Sequence, residues 1–347
     1  LRKISISAQS AVSGGNPFLT DGRNFTSDGK HIEAGPYIYT SQANSSAELP
    51  VSDFAIPTTR ADAIQSACYA VIIPGTYNFT ITYTIYDPTT SVTGEIVEQV
   101  NNVPCGEGVI NDITANLVPL PAPPTLLFYM WDAQQHYWYG HLNPDGTPDN
   151  PNNYPQSSSD PRWYNDFSNS GRYDAQTALF QTLPNANELC WYIMKGDAHY
   201  EPKTQVVVDN NHLKSINMSG IWLRKKSAIV AYLKANEGYP ATLTWNDLKE
   251  AYKETFSSAP KDYRADRVSY SIFKNTTQGA PPNTSDYFFL RESRAYENSY
   301  LLSSTIYWTS SADPFNSSRA LSLRVAFGRL VPDYIVRKIG CLAVAFE

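Results

Sequence analysis

The chain has 347 residues, of which 42% are hydrophobic and only 17% are charged, and its formal net charge is −6. The length is sufficient for two domains, and a low charge content with 24 Tyr and 24 Pro is typical of secreted or cell-surface proteins rich in strands and loops. Affinity for a nucleic-acid backbone depends on the number of phosphates neutralised, so an acidic chain without a basic block is not expected to bind nucleic acid. The sequence contains no apolar run of about 18 residues, so no membrane-spanning helix is expected.

The first third of the chain predicts β structure. Apolar and polar residues alternate from Thr76 to Tyr86, as in a half-buried strand, and Gly94–Val100 is the predicted hairpin partner beyond the turn Asp87-Pro88. Short strands separated by Gly, Pro and Asn turns indicate an antiparallel sandwich. The other predicted strands here are Ile4–Ala8, Ile32–Tyr39, Cys68–Ile73 and Val109–Leu117.

The segment Pro119-Leu120-Pro121-Ala122-Pro123-Pro124 predicts a domain boundary. Proline fixes φ and removes backbone donors, so such a run favours a stiff, extended linker. We therefore predict a first domain over 1–119, a linker over 120–124 and a second domain over 125–347.

The second domain has a mixed pattern that predicts an α+β fold with long loops. Leu126–Trp131 and Tyr137–Tyr139 indicate a strand hairpin, and the polar stretch 143–174 indicates a long loop of functional interest. Helical spacing and capping residues predict three helices, at Asn185–Lys195, Ser227–Ala235 and Thr244–Phe256. Strands return at Tyr287–Leu290, Ser304–Thr309, Leu321–Phe327 and Gly340–Phe346.

The four cysteines allow two interpretations. An even count in a chain of exported character suggests two disulfides, and the domain boundary would then pair Cys68 with Cys105 and Cys190 with Cys341. Alternatively, all four are buried free thiols, since Cys is among the most buried residue types. None of the four has metal-ligand spacing.

Two motifs resemble cation sites and have simpler explanations. Trp245-Asn246-Asp247 is the tripeptide that C-type lectins use for calcium and sugar, but it lies at a predicted helix start, where Asn and Asp are favoured as caps. The stretch from Asn143 to Asn150 is rich in oxygen ligands, but it lacks the bidentate Glu and the spacing of an EF-hand. We therefore expect a helix cap and a solvated turn, and no metal site.

The first half resembles a pilus-subunit domain. Ile72-Ile73-Pro74-Gly75-Thr76-Tyr77, leading into the alternating strand, is similar to the second, transthyretin-like domain of the fimbrillin superfamily, the subunits of Bacteroidales-type (type V) pili. The resemblance covers about residues 1–119. It implies a transthyretin-like antiparallel sandwich that joins other pilus subunits by strand addition.

The second half resembles a C-terminal domain of surface lipoproteins and pilus tip subunits from the same bacterial group, over about residues 126–347. Its ending is also similar to domains of the C-type-lectin and formylglycine-generating-enzyme-like group, which implies a lectin-like fold with a displayed loop surface. The motifs that carry these resemblances are Tyr129-Met130-Trp131-Asp132-Ala133, Pro184-x-Ala186-Asn187-Glu188, Trp191-Tyr192, Gly196-Asp197, Gly220-Ile221-Trp222-Leu223 and Tyr307-Trp308-Thr309-Ser310-Ser311 with Ile339-Gly340-Cys341.

The residues favour binding over catalysis. No segment pairs a nucleophile with a base, so no catalytic residue and no cofactor are predicted. Aromatic rings can stack on sugar faces while their polar tips stay hydrated. In the long loop, Trp163 and Tyr164, flanked by Arg162 and Asn165, are the predicted ligand-binding residues.

Together, the resemblances imply an extracellular adhesin of the fimbrium or outer-membrane surface. It would be a pilus tip or accessory subunit whose C-terminal domain binds a glycan or a protein. Two alternatives stay open, a divergent enzyme of the formylglycine-generating group and a surface carbohydrate-binding lipoprotein unrelated to pili. The enzymes of that group use a cysteine pair or a metal that this sequence does not match, so no catalytic role carries over.

Overall fold

The computed structural model describes residues 1–9, 13–14, 43–51, 70, 72–113, 115, 117, 123–166, 173–209, 211–326 and 328–347. Within these residues the chain is mostly β-sheet with four helices. The strands are β1 (Lys3–Ser7), β2 (Ser13–Gly14), β3 (Ala43–Asn44), β4 (Ser46–Pro50), β5 (Gly75–Asp87), β6 (Val92–Cys105), β7 (Phe128–Tyr129), β8 (His199–Glu201), β9 (Thr204–Asp209), β10 (His212–Asn217), β11 (Gly220–Arg224), β12 (Lys274–Asn275), β13 (Thr277–Gln278), β14 (Tyr287–Arg291), β15 (Arg294–Glu297), β16 (Tyr300–Ala312), β17 (Arg319–Ala326), β18 (Arg329–Val336) and β19 (Cys341–Leu342). The helices are α1 (Ala178–Gln181), α2 (Ala186–Lys195), α3 (Lys226–Asn236) and α4 (Trp245–Glu250).

The chain divides into two compact units. The first comprises Leu1–Ala122 and Gln205–Ile216, and the second comprises Pro123–Thr204 and Asn217–Glu347. The division falls inside the predicted linker 120–124, of which residues 120–122 lie outside the described residues. The sequence did not indicate that a hairpin from the middle of the second segment belongs to the first unit.

The first unit is built on a four-stranded antiparallel sheet in the order β4-β1-β5-β6. β5 confirms the alternating pattern, because its odd-numbered side chains are buried and form a core cluster while its threonines face the other side. The buried β5 residues are Tyr77, Phe79, Ile81, Tyr83 and Ile85.

Of the other strands predicted in the first unit, some are observed and some are not. β1 and the hairpin partner β6 are observed, and β6 is longer than predicted, reaching Cys105. The predicted strand Val109–Leu117 is wrong for its described residues, which form no strand because the chain turns after β6 and the Val109 N–H donates to the Gly106 carbonyl at 3.2 Å. The described residues of Cys68–Ile73 are in no strand either, and Ile32–Tyr39 lies outside the described residues.

The hairpin β9–β10 is attached to the first unit by one carboxylate and one close contact. Asp87 at the end of β5 accepts from the Leu213 N–H at 2.9 Å and from His212 Nδ1 at 3.1 Å. A Cβ at Gly94 would lie 2.8 Å from the Val206 side chain, so only glycine allows the hairpin to approach β6 this closely.

The second unit contains a seven-stranded sheet and a four-stranded sheet. The larger has the order β12-β18-β17-β16-β19-β7, with β15 also paired to β16, and the smaller has the order β13-β8-β11-β14. Because strand side chains alternate, Tyr307 packs into one core cluster with α2, while Ile306 and Trp308 pack into a second cluster with Phe180 of α1. The larger sheet therefore has a core on each face.

Two hydrogen bonds from tryptophans, called the tryptophan clasp below, join the segment Tyr129–Trp131 to the segment Trp308–Thr309 of the second unit. The indole N–H of Trp131 donates to the Thr309 carbonyl at 3.0 Å, and that of Trp308 donates to the Tyr129 carbonyl at 2.7 Å. Both indoles are fully buried. Two of the sequence motifs, which are far apart in the chain, are thus in direct contact in the second unit.

The predicted hairpin of Leu126–Trp131 with Tyr137–Tyr139 is wrong. β7 pairs with β19, and residues 137–139 form a turn. The reason is non-local, since the ring of Tyr137 packs against Gly340, where a Cβ would lie 2.7 Å from the ring. The chain therefore uses this aromatic segment to fill the core.

The helices α2 and α3 confirm their predictions, whereas α4 is shorter than predicted. Trp245–Glu250 is helical, but Ala251 has extended backbone and the Tyr252 N–H pairs with the Lys261 carbonyl at 2.9 Å. Side chains of α2 bind the carbonyls that would have continued the helix. The Trp191 indole donates to the Leu248 carbonyl at 3.0 Å and to the Ala251 carbonyl at 3.1 Å.

The predicted disulfide Cys190–Cys341 is wrong. Both residues are free thiols with no solvent exposure, and they belong to different core clusters. Cys105 is also a buried free thiol, and Cys68 lies outside the described residues. Burial raises the pKa of Cys190 and of Cys341, which disfavours thiolate chemistry at either residue.

Candidate functional site

The segment Asp160–Asn165 holds the predicted ligand-binding residues, and Arg162 anchors its first half. The guanidinium of Arg162 donates to both oxygens of Asp160, and its Nη1 donates to the Asn153 carbonyl at 2.7 Å. The hydrogen bonds from Arg162 hold the pKa of Asp160 below its ordinary value. Arg162 is only 8% exposed. Its observed contacts are therefore those of a loop-positioning residue.

Asn165 anchors the second half. Its side-chain Nδ2 donates to Asp132 at 2.9 Å, and its carbonyl accepts from Arg337 Nη1 at 3.2 Å. Arg337 is itself buried, with its guanidinium carbon 4.5 Å from the centre of the Trp131 ring. The tryptophan clasp is therefore directly connected to the loop end, which fixes the position of the backbone there.

Trp163 and Tyr164 lie between these two anchors. Their ring centres are 5.0 Å apart with an interplanar angle of 31°. Both side chains are partly buried and pack against the main core cluster of the unit. The loop therefore holds two partly exposed rings between two residues that are fixed by hydrogen bonds.

The chemistry available at this surface is stacking and hydrogen bonding. Among the described residues, no group of three or more His, Cys, Asp or Glu could hold a metal ion. Trp163 and Tyr164 offer apolar faces with polar tips, and Asn165 has its side-chain amide committed to Asp132. A ligand would therefore be bound mainly through the two rings.

The two cation-like motifs have structural roles. Asp247 accepts from the Thr244 N–H at 2.8 Å and from its hydroxyl at 2.7 Å, which is the predicted helix cap. In the Asn143–Asn150 stretch, Asp145 accepts from the Thr147 N–H at 3.0 Å, and Asp149 is hydrogen-bonded to Asn153. These carboxylates stabilise local turns.

Several exposed aromatic residues were not singled out by the sequence. Tyr270 is 96% exposed and Tyr300 is 74% exposed, and both are more accessible than the partly buried Trp163–Tyr164 pair. Their sequence neighbours are polar and apolar in no special order, so no local pattern distinguishes them from core tyrosines.

Comparisons of the chain with protein-family models, with curated proteins and with solved structures found no match. No helix within the described part of the chain is long and apolar enough to cross a membrane.

Proposed function

We propose that this protein is a cell-surface adhesin, a pilus tip or accessory subunit whose second unit binds an extracellular glycan or protein. The observation that carries the proposal is the Trp163–Tyr164 pair, which lies between the buried Arg162 and the half-buried Asn165, both held by hydrogen bonds. Rings on a pre-formed frame lose little conformational freedom on binding, which favours recognition of a flat ligand face.

The first unit offers a surface for assembly with other subunits. β6 lies at the edge of its sheet in the described residues, extends over 14 residues and exposes Val97. A long edge strand with unpaired backbone groups is a template for another chain's strand. This edge supports joining to other pilus subunits by strand addition, as the resemblance to fimbrillins implies.

A binding experiment tests the adhesin. The full chain is first applied to arrays of glycans and extracellular-matrix proteins, and Kd is then measured for the best ligand. We expect Trp163→Ala and Tyr164→Ala to weaken binding by about 1–2 kcal/mol each through lost stacking. Tyr300→Ala, which removes an exposed ring elsewhere in the same unit, is the matched control. Unchanged affinity in both loop variants would contradict the proposed site.

The position in the fibre is tested separately by immunogold labelling of native pili. Label at fibre ends is expected. Label spread evenly along the shaft would contradict a tip role, and label on cells without fibres would favour the surface-lipoprotein alternative.

A further inference from the structure

A second groove in the same unit combines exposed aromatic rings with an arginine that forms no ion pair among the described residues. It has a volume of about 260 Å³ and is lined by Tyr270, Ile272, Phe273, Arg329, Val331 and Pro332. The lining contains one cation and no carboxylate, which contrasts with the net charge of −6 of the chain. This groove is distinct from the Trp163–Tyr164 loop in both its residues and its charge.

The backbone holds the ring of Tyr270 out of the core. Val268 and Ile272, on either side of it, are both buried, and the Ile272 N–H closes a turn on the Ser269 carbonyl at 3.0 Å. Tyr270 at the tip of this turn is 96% exposed. An aromatic side chain held this far into solvent by two buried neighbours is placed for an intermolecular contact.

Arg329 also lines the groove. Its Nε donates to Asn275 Oδ1 at 3.1 Å, and its guanidinium carbon lies 5.7 Å from the centre of the Phe273 ring. No ion pair is formed by Arg329 within the described chain. By contrast, Arg267 is paired with Asp313 at 2.6 Å. In the described part of the chain the observed side-chain hydrogen bond of Arg329 uses only Nε, so its terminal nitrogens can donate to both oxygens of a ligand carboxylate.

We propose that this groove binds an acidic sugar, a pyranose ring bearing a carboxylate. The C–H face of the ring would stack on Tyr270, and its carboxylate would pair with Arg329. The size of the groove suits a single ring. A neutral sugar would leave the guanidinium without a partner, so it would bind more weakly.

An acidic peptide fits the same groove less well. Val331 and Pro332 belong to its lining, and Pro332 has no N–H to donate to a peptide backbone. An extended peptide laid here would therefore leave a backbone carbonyl without a donor at Pro332, whereas a sugar ring stacked on Tyr270 can keep its hydroxyl groups in contact with water.

The test measures binding of defined probes to the full chain by ligand-observed NMR. The acidic probes are digalacturonate and 3′-sialyllactose, and their neutral counterparts are the methyl ester of digalacturonate and lactose. We expect at least one acidic probe to bind, its neutral counterpart to bind about tenfold more weakly or worse, and Arg329→Gln to cause a similar loss. Which acidic probe binds identifies whether the source is a uronic-acid polymer or a sialylated glycan.

Three variants separate this site from others. Tyr270→Ala is expected to lower the affinity for the acidic probe at least about fivefold. Tyr300→Ala and Trp163→Ala are expected to bind that probe with wild-type affinity. Because Tyr270 is exposed, its loss should leave the melting temperature unchanged.

The inference is overturned if neither acidic probe binds, if acidic and neutral probes bind equally, if Tyr270→Ala and Arg329→Gln bind as wild type, or if hexaglutamate displaces the sugar. Loss of binding in Trp163→Ala alone would place the acidic sugar on the adhesin loop and would also overturn it, without contradicting the proposed function.

Discussion

At the scale of single residues, buried polar groups decide the structure of the second unit. Asn187 is fully buried, and its side chain donates to the Glu250 carbonyl at 3.0 Å and to Asp262 at 2.9 Å while it accepts from the Tyr263 N–H at 2.8 Å. One amide thus satisfies backbone groups from two loops. The motif Pro184-x-Ala186-Asn187-Glu188, noticed in the sequence as a resemblance, has this structural role.

The tryptophan clasp gives a prediction at the same scale. Trp308→Phe should lower the free energy of unfolding by about 2–3 kcal/mol, because it leaves a small cavity and removes the donor to the Tyr129 carbonyl. Trp222→Phe is the control, since its indole bonds to the side chain of Glu201, which is only partly buried, and the expected loss is about 1 kcal/mol or less. Urea denaturation of both variants measures the difference. A loss in Trp308→Phe no larger than that in Trp222→Phe would contradict the larger contribution expected from the clasp.

At the scale of elements, the hairpin β9–β10 depends on one carboxylate. The Leu213 N–H, with help from Thr89 and His212, lowers the pKa of Asp87 from 3.8 to about 2. A carboxylate whose pKa is lowered by folding stabilises the folded state fully when the pH is above the pKa of the unfolded state. That contribution is lost as the pH falls through the pKa of the folded state. The attachment should therefore be complete above about pH 4 and be lost as pH falls towards 2.

Asp87→Asn tests this attachment. We expect faster hydrogen exchange at the Leu213 amide at pH 6 and a smaller dependence of that exchange on acidification, because the charged acceptor is absent. Asp209→Asn is the matched control, since Asp209 pairs with Lys214 across the same hairpin at 3.0 Å and does not bind the Leu213 amide. Similar exchange in both variants would contradict the role of Asp87.

At the scale of the whole molecule, two separate segments of the chain belong to the first unit. Gln205–Ile216 leaves the second segment and belongs to the first unit. At the base of this excursion, the Met218 N–H donates to the Lys203 carbonyl at 2.8 Å, so the two chain ends are already adjacent. The second unit therefore has a continuous path without the hairpin.

A fragment experiment follows from this path. Residues 123–347 with 205–216 replaced by a short Gly-Ser loop should retain a cooperative melt, because closing a short loop between adjacent ends has a small entropic cost. Residues 1–122 alone should be less stable than the same fragment with the hairpin peptide added, since Asp87 and Gly94 lose their partners. Differential scanning calorimetry of the fragments measures both. A non-cooperative melt of the second fragment would contradict independent folding.

The sequence alone determined the elements whose signals are local. Alternation of apolar residues identified β5, because a strand buried on one face repeats every two residues. Helical spacing and caps identified α2 and α3, since those signals lie within one helical turn. The proline-rich segment marked the place where the chain divides into two compact units, whereas the ligand-binding role of Trp163 and Tyr164 stays a prediction.

Tertiary structure alone decided the features that depend on distant partners. α4 ends early because Trp191 and Asn187 bind its last carbonyls, and Cys190 and Cys341 stay unpaired because they lie in different cores. Neither the exposure of Tyr270 nor the lack of an ion pair at Arg329 among the described residues has a local signal in the sequence. The free energy of each such feature is set by groups far apart in the chain, and only folding brings those groups together.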